Sequence, residues 1–359
     1  AKDVRAAALG ALTKLPLPDA VQMVLKAASG ADLELIAERL RASGNPELLD
    51  FVLSETDKQL GELFKLNDKK QQATAITRMQ HLLRCLDGRD DAGTEAALLK
   101  CFKRVGDLAA IKSEPSGADL NEMVASLMAH SSKRACEKLI AAQESLTGPM
   151  LSQAFFAARR TLSPAKVFDV FSPSLRAKPD KKSKKNANAF GRSEAIRDGL
   201  LSEFQYVSHR FHWGWRFGRM DDREPEKLPE LDPRWLDVAV EAEQLEIVLP
   251  LARPGHAAAN RFLKQQFDAL GKKKDYEAHR VLEAMIRVQH PQATAAVVQM
   301  IQQVAKTAHA GYVGYWLGRM IPDLPKESAP QFEGLLPTLP EKMVDQLMEY
   351  VLALKNKTA

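Results

Sequence analysis

Two histidines in the middle of the chain come closest, by type and spacing, to metal chemistry. His209 and His212 are three positions apart, so on a helix both imidazoles would lie on one face. A zinc site needs three or four ligands, and no cysteine or carboxylate accompanies this pair at a recognised spacing. The sequence therefore predicts no metal site and no bound cofactor.

Motifs for nucleophilic or nucleotide chemistry are missing from the sequence as well. It has no Gly-x-Ser-x-Gly motif and no Gly-rich loop that follows a strand. The acidic pairs Asp90-Asp91 and Asp221-Asp222 fall at predicted helix ends, where capping explains them. We predict that the chain is not an enzyme and takes no small-molecule substrate. Three cysteines without CxxC spacing lie in apolar stretches and predict buried thiols of a reducing compartment: Cys85, Cys101 and Cys136.

Positive charge is concentrated in one short segment. The net charge is +5, and residues 176–185 alone hold six basic residues and one acid, Asp180, an excess equal to that net charge. Clustered lysines can neutralise phosphates, whereas charge runs are also common in solvated linkers. The segment predicts a flexible loop and, in the functional interpretation, a nucleic-acid contact formed by Lys181, Lys182, Lys184 and Lys185.

Aromatic and basic side chains are mixed most densely in the segment that follows, residues 206–219. Aromatic faces beside guanidinium groups can stack nucleic-acid bases. On a helix, however, most of these aromatics fall on stripes expected to pack in a core. Three residues without similar counterparts elsewhere in the chain complete the predicted partner-binding set: Arg210, Trp213 and Arg216.

Helical periodicity governs almost the whole sequence. Aromatic residues make up only 6% of the chain, which favours helices packed on helices over sheets. One fair strand candidate, Glu246–Leu249, sits at the end of a helical pattern. No apolar run approaches the about 18 residues needed to span a bilayer, so we predict a cytoplasmic protein without a membrane partner. In the second half, predicted helices run over Trp235–Val248, Ala257–Leu270, Tyr276–Val288, Ala293–His309 and Glu341–Leu354.

Part of the sequence repeats. Gly214–Met220 matches Gly314–Met320 at four of seven positions, and the same register pairs His209 with His309. In this register Trp215 and Phe217 correspond to Tyr315 and Leu317, which favours a packing role for both. The match predicts one helix of a repeated unit, two helical pairs in length.

The opening segment resembles a known repeat. Asp3–Leu12 is similar to the second-helix signature of HEAT-like repeats, and the chain resembles the HEAT-like, armadillo-type superfamily of helical repeats. Few other helices keep the Asp-x-x-Arg-x-x-Ala order. The resemblance implies an all-α fold, an α-solenoid of stacked antiparallel helix pairs whose inner face holds a protein or nucleic-acid partner.

We predict two helical-repeat lobes, residues 1–172 and 191–359, joined by the basic loop 173–190. The expected function is a non-enzymatic scaffold that binds another protein on the concave face. The alternative is a HEAT-like nucleic-acid binder that uses the basic loop and the adjacent aromatic and arginine helix. A HEAT-like DNA glycosylase would need an acid on the inner face beside aromatic side chains, which the sequence does not locate. The start at Ala1 inside a helical pattern suggests a piece of a longer protein.

Overall fold

A computed structural model describes residues 46–146, 148–176, 191–204, 229–270, 276–307 and 315–357, together with Ala11. All regular elements in these ranges are helical, and none of these residues lies in a strand. The predicted all-α class is confirmed for this part of the chain. No helix within the same ranges is long and apolar enough to cross a membrane.

Amphipathic helices fill the described residues up to Phe204. In α5, for example, Leu120, Val124, Leu127 and Met128 recur at helical spacing, and all four are buried. In chain order the helices are α1 Pro46–Leu63, α2 Lys69–Arg84, α3 Ala92–Phe102, α4 Val105–Ala109, α5 Gly117–Ala129, α6 Lys133–Ala141, α7 Gly148–Thr161, α8 Pro164–Arg176 and α9 Arg192–Phe204.

Shorter helices and 3₁₀ turns follow in the second half. The helices are α10 Arg234–Glu241, α11 Leu245–Leu251, α12 Ala257–Leu270, α13 Tyr276–Arg287, α14 Ala293–Val304, α15 Ala329–Leu335 and α16 Glu341–Lys355. The 3₁₀ turns are Ile321–Asp323, Lys326–Ser328 and Leu336–Thr338. Prolines mark the starts of elements here: Pro325 directly precedes the 3₁₀ turn Lys326–Ser328, and Pro340 directly precedes α16. A proline has no backbone N–H, so it favours the start of a helix and disfavours its interior.

The chain divides into two compact units. The N-terminal unit comprises residues 1–199 and 221–230, and the C-terminal unit comprises 200–220 and 231–359. The first four residues of the predicted linker form the last turn of α8, which contains Pro173. Residues 177–190, the rest of that linker, lie outside the described part of the chain.

Helices of the N-terminal unit pack as neighbouring pairs: α1 on α2, α3 on α5, and α6 on α7. The first members of the pairs also pack along the chain, α1 on α3 and α3 on α6. The second members do the same, α2 on α5 and α5 on α7. We name these two rows the first rank and the second rank. On the second rank, Ser152 of α7 also donates a hydrogen bond of 2.7 Å to the carbonyl of Ala195 in α9.

Part of this arrangement recurs in the C-terminal unit. There α10 packs on α11 and α12 on α13, while α10 also contacts α12 and α11 contacts α13. Further along, α14 packs on α13, α15 on α14, and α16 on α15. α16 also covers the 3₁₀ turns at 321–323 and 336–338. Most helices of this unit therefore meet the helices that precede and follow them in the chain.

Each unit buries its own aromatic core. Phe155 and Phe171 meet edge to face in the N-terminal unit, with ring centroids 5.5 Å apart. Trp235 and Phe267 are buried in the C-terminal unit. Cores of this type contribute most of a helical protein's stability, since removing one buried aromatic side chain costs about 3–5 kcal/mol. The three cysteines are buried, as predicted.

The structure divides the predicted helix Trp235–Val248 into two helices, α10 and α11, and the strand candidate at its end is wrong. The chain turns at Glu243, whose φ of 55° lies in the left-handed region. The N–H of Gln244 then donates to the carbonyl of Ala239 at 2.9 Å, which closes a Schellman motif. Residues 246–249 belong to the next helix, α11. Glycine is usual at such a turn, so the glutamate there gave no signal of a helix end.

Candidate functional site

The binding residues chosen from the sequence lie outside the described part of the chain. The same holds for the HEAT-like segment Asp3–Leu12, for His209 and His212, and for the first copy of the internal repeat. Their assignments stay predictions. The binding residues concerned are Lys181, Lys182, Lys184, Lys185, Arg210, Trp213 and Arg216.

An exposed group of two aromatic side chains and one arginine lies in the C-terminal unit. Tyr315 is 46% exposed and Trp316 is 40% exposed, and their ring centroids are 6.2 Å apart at an interplanar angle of 77°. The guanidinium carbon of Arg319 lies 5.7 Å from the centroid of Tyr315 and 5.8 Å from that of Trp316. We name these three residues the aromatic-arginine cluster.

Two neighbouring residues hold the backbone of this cluster against α16. Residues 315–318 are helical, and Leu317 is fully buried. At Gly318 an added Cβ would come within 2.6 Å of Cδ2 of Tyr350 and 3.1 Å of a methyl group of Leu347. Only a glycine permits this close approach. The exposed rings are therefore carried on a segment whose other side is fixed in the core.

Such a group has the composition of a protein-binding hot spot. Tryptophan, tyrosine and arginine are enriched among the residues that carry most interface energy. Large aromatic side chains also bury extensive apolar area when a partner covers them, and the guanidinium adds directional hydrogen bonds. An exposed Tyr315 and Trp316 beside Arg319 thus offer both apolar area and a positive charge to a partner.

The internal repeat led the sequence interpretation away from this cluster. Tyr315 and Leu317 were used as packing counterparts of Trp215 and Phe217. Leu317 is buried, but Tyr315 is nearly half exposed. The repeat therefore no longer supports a packing role for Trp215, whereas it still supports one for Phe217. A usable signal was present, because Tyr315, Trp316 and Arg319 repeat the aromatic and basic mixture noted in residues 206–219.

His256 forms a pair with Asp237 that resembles half of a catalytic dyad. Its Nε2 lies 2.9 Å from Oδ1 of Asp237, and its Nδ1 accepts the backbone N–H of Ala259 at 3.1 Å. Since Nδ1 accepts, the ring proton is on Nε2 and points to the carboxylate. Nδ1 is engaged at the start of α12 and Nε2 is bonded to Asp237 of α10, which leaves neither available as a general base.

His290 has a similar structural role before α14. Its Nδ1 accepts the backbone N–H of Gln292 at 3.0 Å. Burial lowers the pKa of His290, a hydrogen bond with the backbone of Asn260 opposes that shift, and the positive charge of Lys264 lowers the pKa further. The neutral ring is therefore the form that this environment favours.

Arginine side chains of the N-terminal unit tie loops to helices. Nη1 of Arg192 donates at 2.9 Å to the carbonyls of Gln143, Glu144 and Leu146, which follow the end of α6. Its Nη2 donates to the hydroxyl of Ser174 at 3.0 Å. These bonds satisfy carbonyl groups of the loop that joins α6 to α7. Arg192 therefore has a structural role.

Thiol and metal chemistry gain no support from the described residues. Burial raises the pKa of Cys101 to about 12, with a further increase from the charge of Asp57 that Lys100 partly opposes. A thiol in this environment is not ionised at neutral pH and is a poor nucleophile. Within the ranges that the structure describes, no three histidine, cysteine, aspartate or glutamate side chains come together as a metal site.

Comparison with known proteins gives no guide to this chain. No protein-family model, curated protein or solved structure matches it. Functional proposals therefore depend on the packing of the helices and on the aromatic-arginine cluster.

Proposed function

We propose that the chain is an α-solenoid of the HEAT-like kind that binds another protein and carries out no catalysis. The observation that carries this proposal is the packing of the N-terminal unit in two ranks, where helices meet mainly their neighbours in the chain. Arrays of this type leave one side of each rank uncovered, and that side is available to a partner.

The spacing of the helices agrees with a repeat of this class. First-rank helices begin at Pro46, Ala92 and Lys133, and α8 follows at Pro164. HEAT and armadillo repeats span about 40–47 residues, and the first two of these intervals fall in that range. The last interval is shorter, which supports an irregular array rather than a uniform one.

The aromatic-arginine cluster is the described surface that we assign to the partner. Protein interfaces concentrate their free energy in a few aromatic and arginine anchors, and Tyr315, Trp316 and Arg319 supply three such side chains in one place. Gly318 and Leu317 fix the backbone beneath them, so little ordering is required on binding. The proposed partner is a protein that covers these rings.

Affinity capture with the full chain tests this assignment. Wild-type protein should retain a stoichiometric protein partner from an extract of its source cells, and the double variant Trp316→Ala with Arg319→Ala should lose it. Leu352→Ala is a matched control, since Leu352 is 48% exposed in the same unit but lies on α16 outside the cluster. The proposal fails if the double variant retains the partner, or if no stoichiometric protein is captured.

Nucleic-acid binding remains the second candidate because of one observation in the sequence. The excess positive charge of the chain is concentrated in residues 176–185, which include Lys181, Lys182, Lys184 and Lys185. Neutralising several phosphates releases counterions, so affinity for DNA or RNA would fall steeply as salt rises. Titrating salt while measuring the affinity for DNA and RNA decides between the candidates. The absence of binding at low salt would reject the nucleic-acid candidate. An affinity that falls steeply with salt and is lost when these four lysines are replaced would favour it.

A further inference from the structure

His256 and His290 both lie close to helix starts of the C-terminal unit, His256 directly before α12 and His290 shortly before α14. Each ring accepts a backbone N–H with Nδ1, from Ala259 at the start of α12 and from Gln292 just before α14. Each ring also reaches back to an earlier helix, His256 to Asp237 of α10 and His290 to the backbone of Asn260 in α12. We name His256 and His290 the histidine acceptors.

The geometry requires a neutral ring at both positions. A protonated imidazole carries hydrogens on both nitrogens and accepts no hydrogen bond. Protonation would therefore place the Nδ1–H of His290 against the N–H of Gln292, and that of His256 against the N–H of Ala259. Two donors facing each other lose the bond and repel, so the beginning of each helix is weakened.

The charges around the two rings differ. His256 faces the carboxylate of Asp237, which would form an ion pair with a protonated ring and so offset part of the lost bond. The charge that acts on His290 is the ammonium of Lys264 in α12, which is also paired with Asp268. On α13, Arg287 donates to the carbonyl of Leu249. Protonation of His290 is therefore opposed by the positive charge of Lys264.

We infer that the C-terminal unit contains an acid-sensitive latch, in which protonation of His290 releases the start of α14 and its tie to α12. Lowering the pH below neutral opens this helix start before the rest of the chain unfolds. The inference concerns regulation of the fold and is independent of the identity of the partner.

The N-terminal unit provides an internal control. Several of its helices begin with side-chain oxygens: Asp68 starts α2, Asp91 starts α3 and Ser132 starts α6. Serine hydroxyls do not titrate in the physiological range, and aspartate carboxylates titrate only near pH 4. Between about pH 5 and about pH 7.5, these helix starts should keep their protection against hydrogen exchange.

Hydrogen exchange of the full chain, followed by mass spectrometry at about pH 7.5 and about pH 5 and corrected for intrinsic rates, tests the latch. Protection of peptides covering residues 290–297 should fall about tenfold at the lower pH, the loss expected for one helix-start bond. Peptides at the starts of α3 and α6 should not change in protection.

Variants separate titration of His290 from general acid sensitivity. In His290→Asn the side-chain oxygen accepts the N–H of Gln292 at any pH, so the loss at residues 290–297 should disappear. His130→Asn, at an exposed histidine of the N-terminal unit, should leave that loss unchanged. The latch is refuted if the loss persists in His290→Asn, or if wild-type protein loses protection equally at the starts of α3 and α6. The comparison of residues 290–297 with the starts of α3 and α6 uses wild-type protein alone, so it tests the latch even if His290→Asn fails to fold.

Discussion

Amphipathic helices begin in different ways in the two units. In the N-terminal unit, carboxylate and hydroxyl oxygens of Asp68, Asp91, Ser116 and Ser132 accept the first free N–H groups. In the C-terminal unit, imidazole nitrogens take this role before α12 and α14, and prolines open other elements. Similar packing is thus compatible with different responses to acid.

Connections between helices differ in the same way. Arg192 of the N-terminal unit bonds three carbonyls beyond α6, and Arg159, which is 2% exposed, donates to the carbonyls of Pro229 and Glu230. Guanidinium groups stay charged at every accessible pH. The bonds made by these two arginines therefore do not depend on pH, whereas the bond accepted by His290 does.

The largest expected effect comes from Gly117, at the start of α5. An added Cβ would lie 1.8 Å from the carbonyl oxygen of Leu108, a backbone atom that cannot move aside. Gly117→Ala should lower the free energy of unfolding of the N-terminal unit by about 3 kcal/mol or more. Gly106→Ala is the matched control, because nothing lies within 4 Å of the added Cβ. Chemical denaturation measures the free energy of unfolding of both variants. Equal denaturation midpoints for Gly117→Ala and Gly106→Ala would show that α4 and α5 do not pack this closely.

Arg192→Ala should have the next largest effect. It removes the donor to the carbonyls of Gln143, Glu144 and Leu146, and charged hydrogen bonds are each worth about 1.5–3 kcal/mol. We expect a loss of about 2–3 kcal/mol that hydrogen exchange locates after α6. Arg197→Ala, which removes a partly exposed pair with Asp198, should cost no more than about 1 kcal/mol. A similarly small cost for Arg192→Ala would mean that the hydrogen bonds of Arg192 contribute little to the free energy of unfolding.

Substitutions of the helix caps should have the smallest effect on the free energy of unfolding, and their dependence on pH should differ most clearly between the two units. Burial raises the pKa of Asp91, but hydrogen bonds from Thr94 and Arg89 outweigh burial and hold that pKa below 3.8. Its stabilisation is therefore complete above about pH 4 and is lost only as the pH falls through the lowered pKa. Asp91→Ala should cost about 1 kcal/mol, equally at about pH 5 and about pH 7.5.

His290 should behave differently over the same interval. Its pKa is lowered from 6.5 by burial, so its stabilisation is present above 6.5 and declines as the pH falls through the lowered pKa. His290→Ala should therefore cost less at about pH 5 than at about pH 7.5 in equilibrium denaturation of the C-terminal unit. A cost that rises toward acid pH would reverse the sign and contradict the proposed role of the neutral ring.

Apolar periodicity was sufficient to place the helices but not their connections. α12 has the predicted bounds, and α16 extends one residue further than predicted. The turn at Glu243 was missed because its left-handed backbone is occupied by a residue that favours helices. Periodicity reports which residues are buried, and it carries no information on a single residue that reverses the chain.

The candidate site was less accessible to sequence reasoning. Asp237 and His256 are 19 positions apart, so their contact appears only when α10 packs on α12. Correspondence with Tyr315 predicts a packing role for Trp215, yet the exposure of Tyr315 itself depends on how the local helix meets α16. Residue type identified aromatic and basic side chains, and tertiary packing decided which of them face outward.

Serial stacking in the N-terminal unit is the central claim, and distances along the first rank test it most directly. Spin labels at Lys58→Cys on α1, paired with Ala96→Cys on α3 or with Lys138→Cys on α6, report these distances by pulsed electron paramagnetic resonance. All three positions are exposed, and the native cysteines are buried, so only the introduced thiols should react. Stacking predicts that the second pair is farther apart than the first by about one helix spacing, 8–10 Å. A second distance equal to or shorter than the first would show a closed bundle and contradict the solenoid.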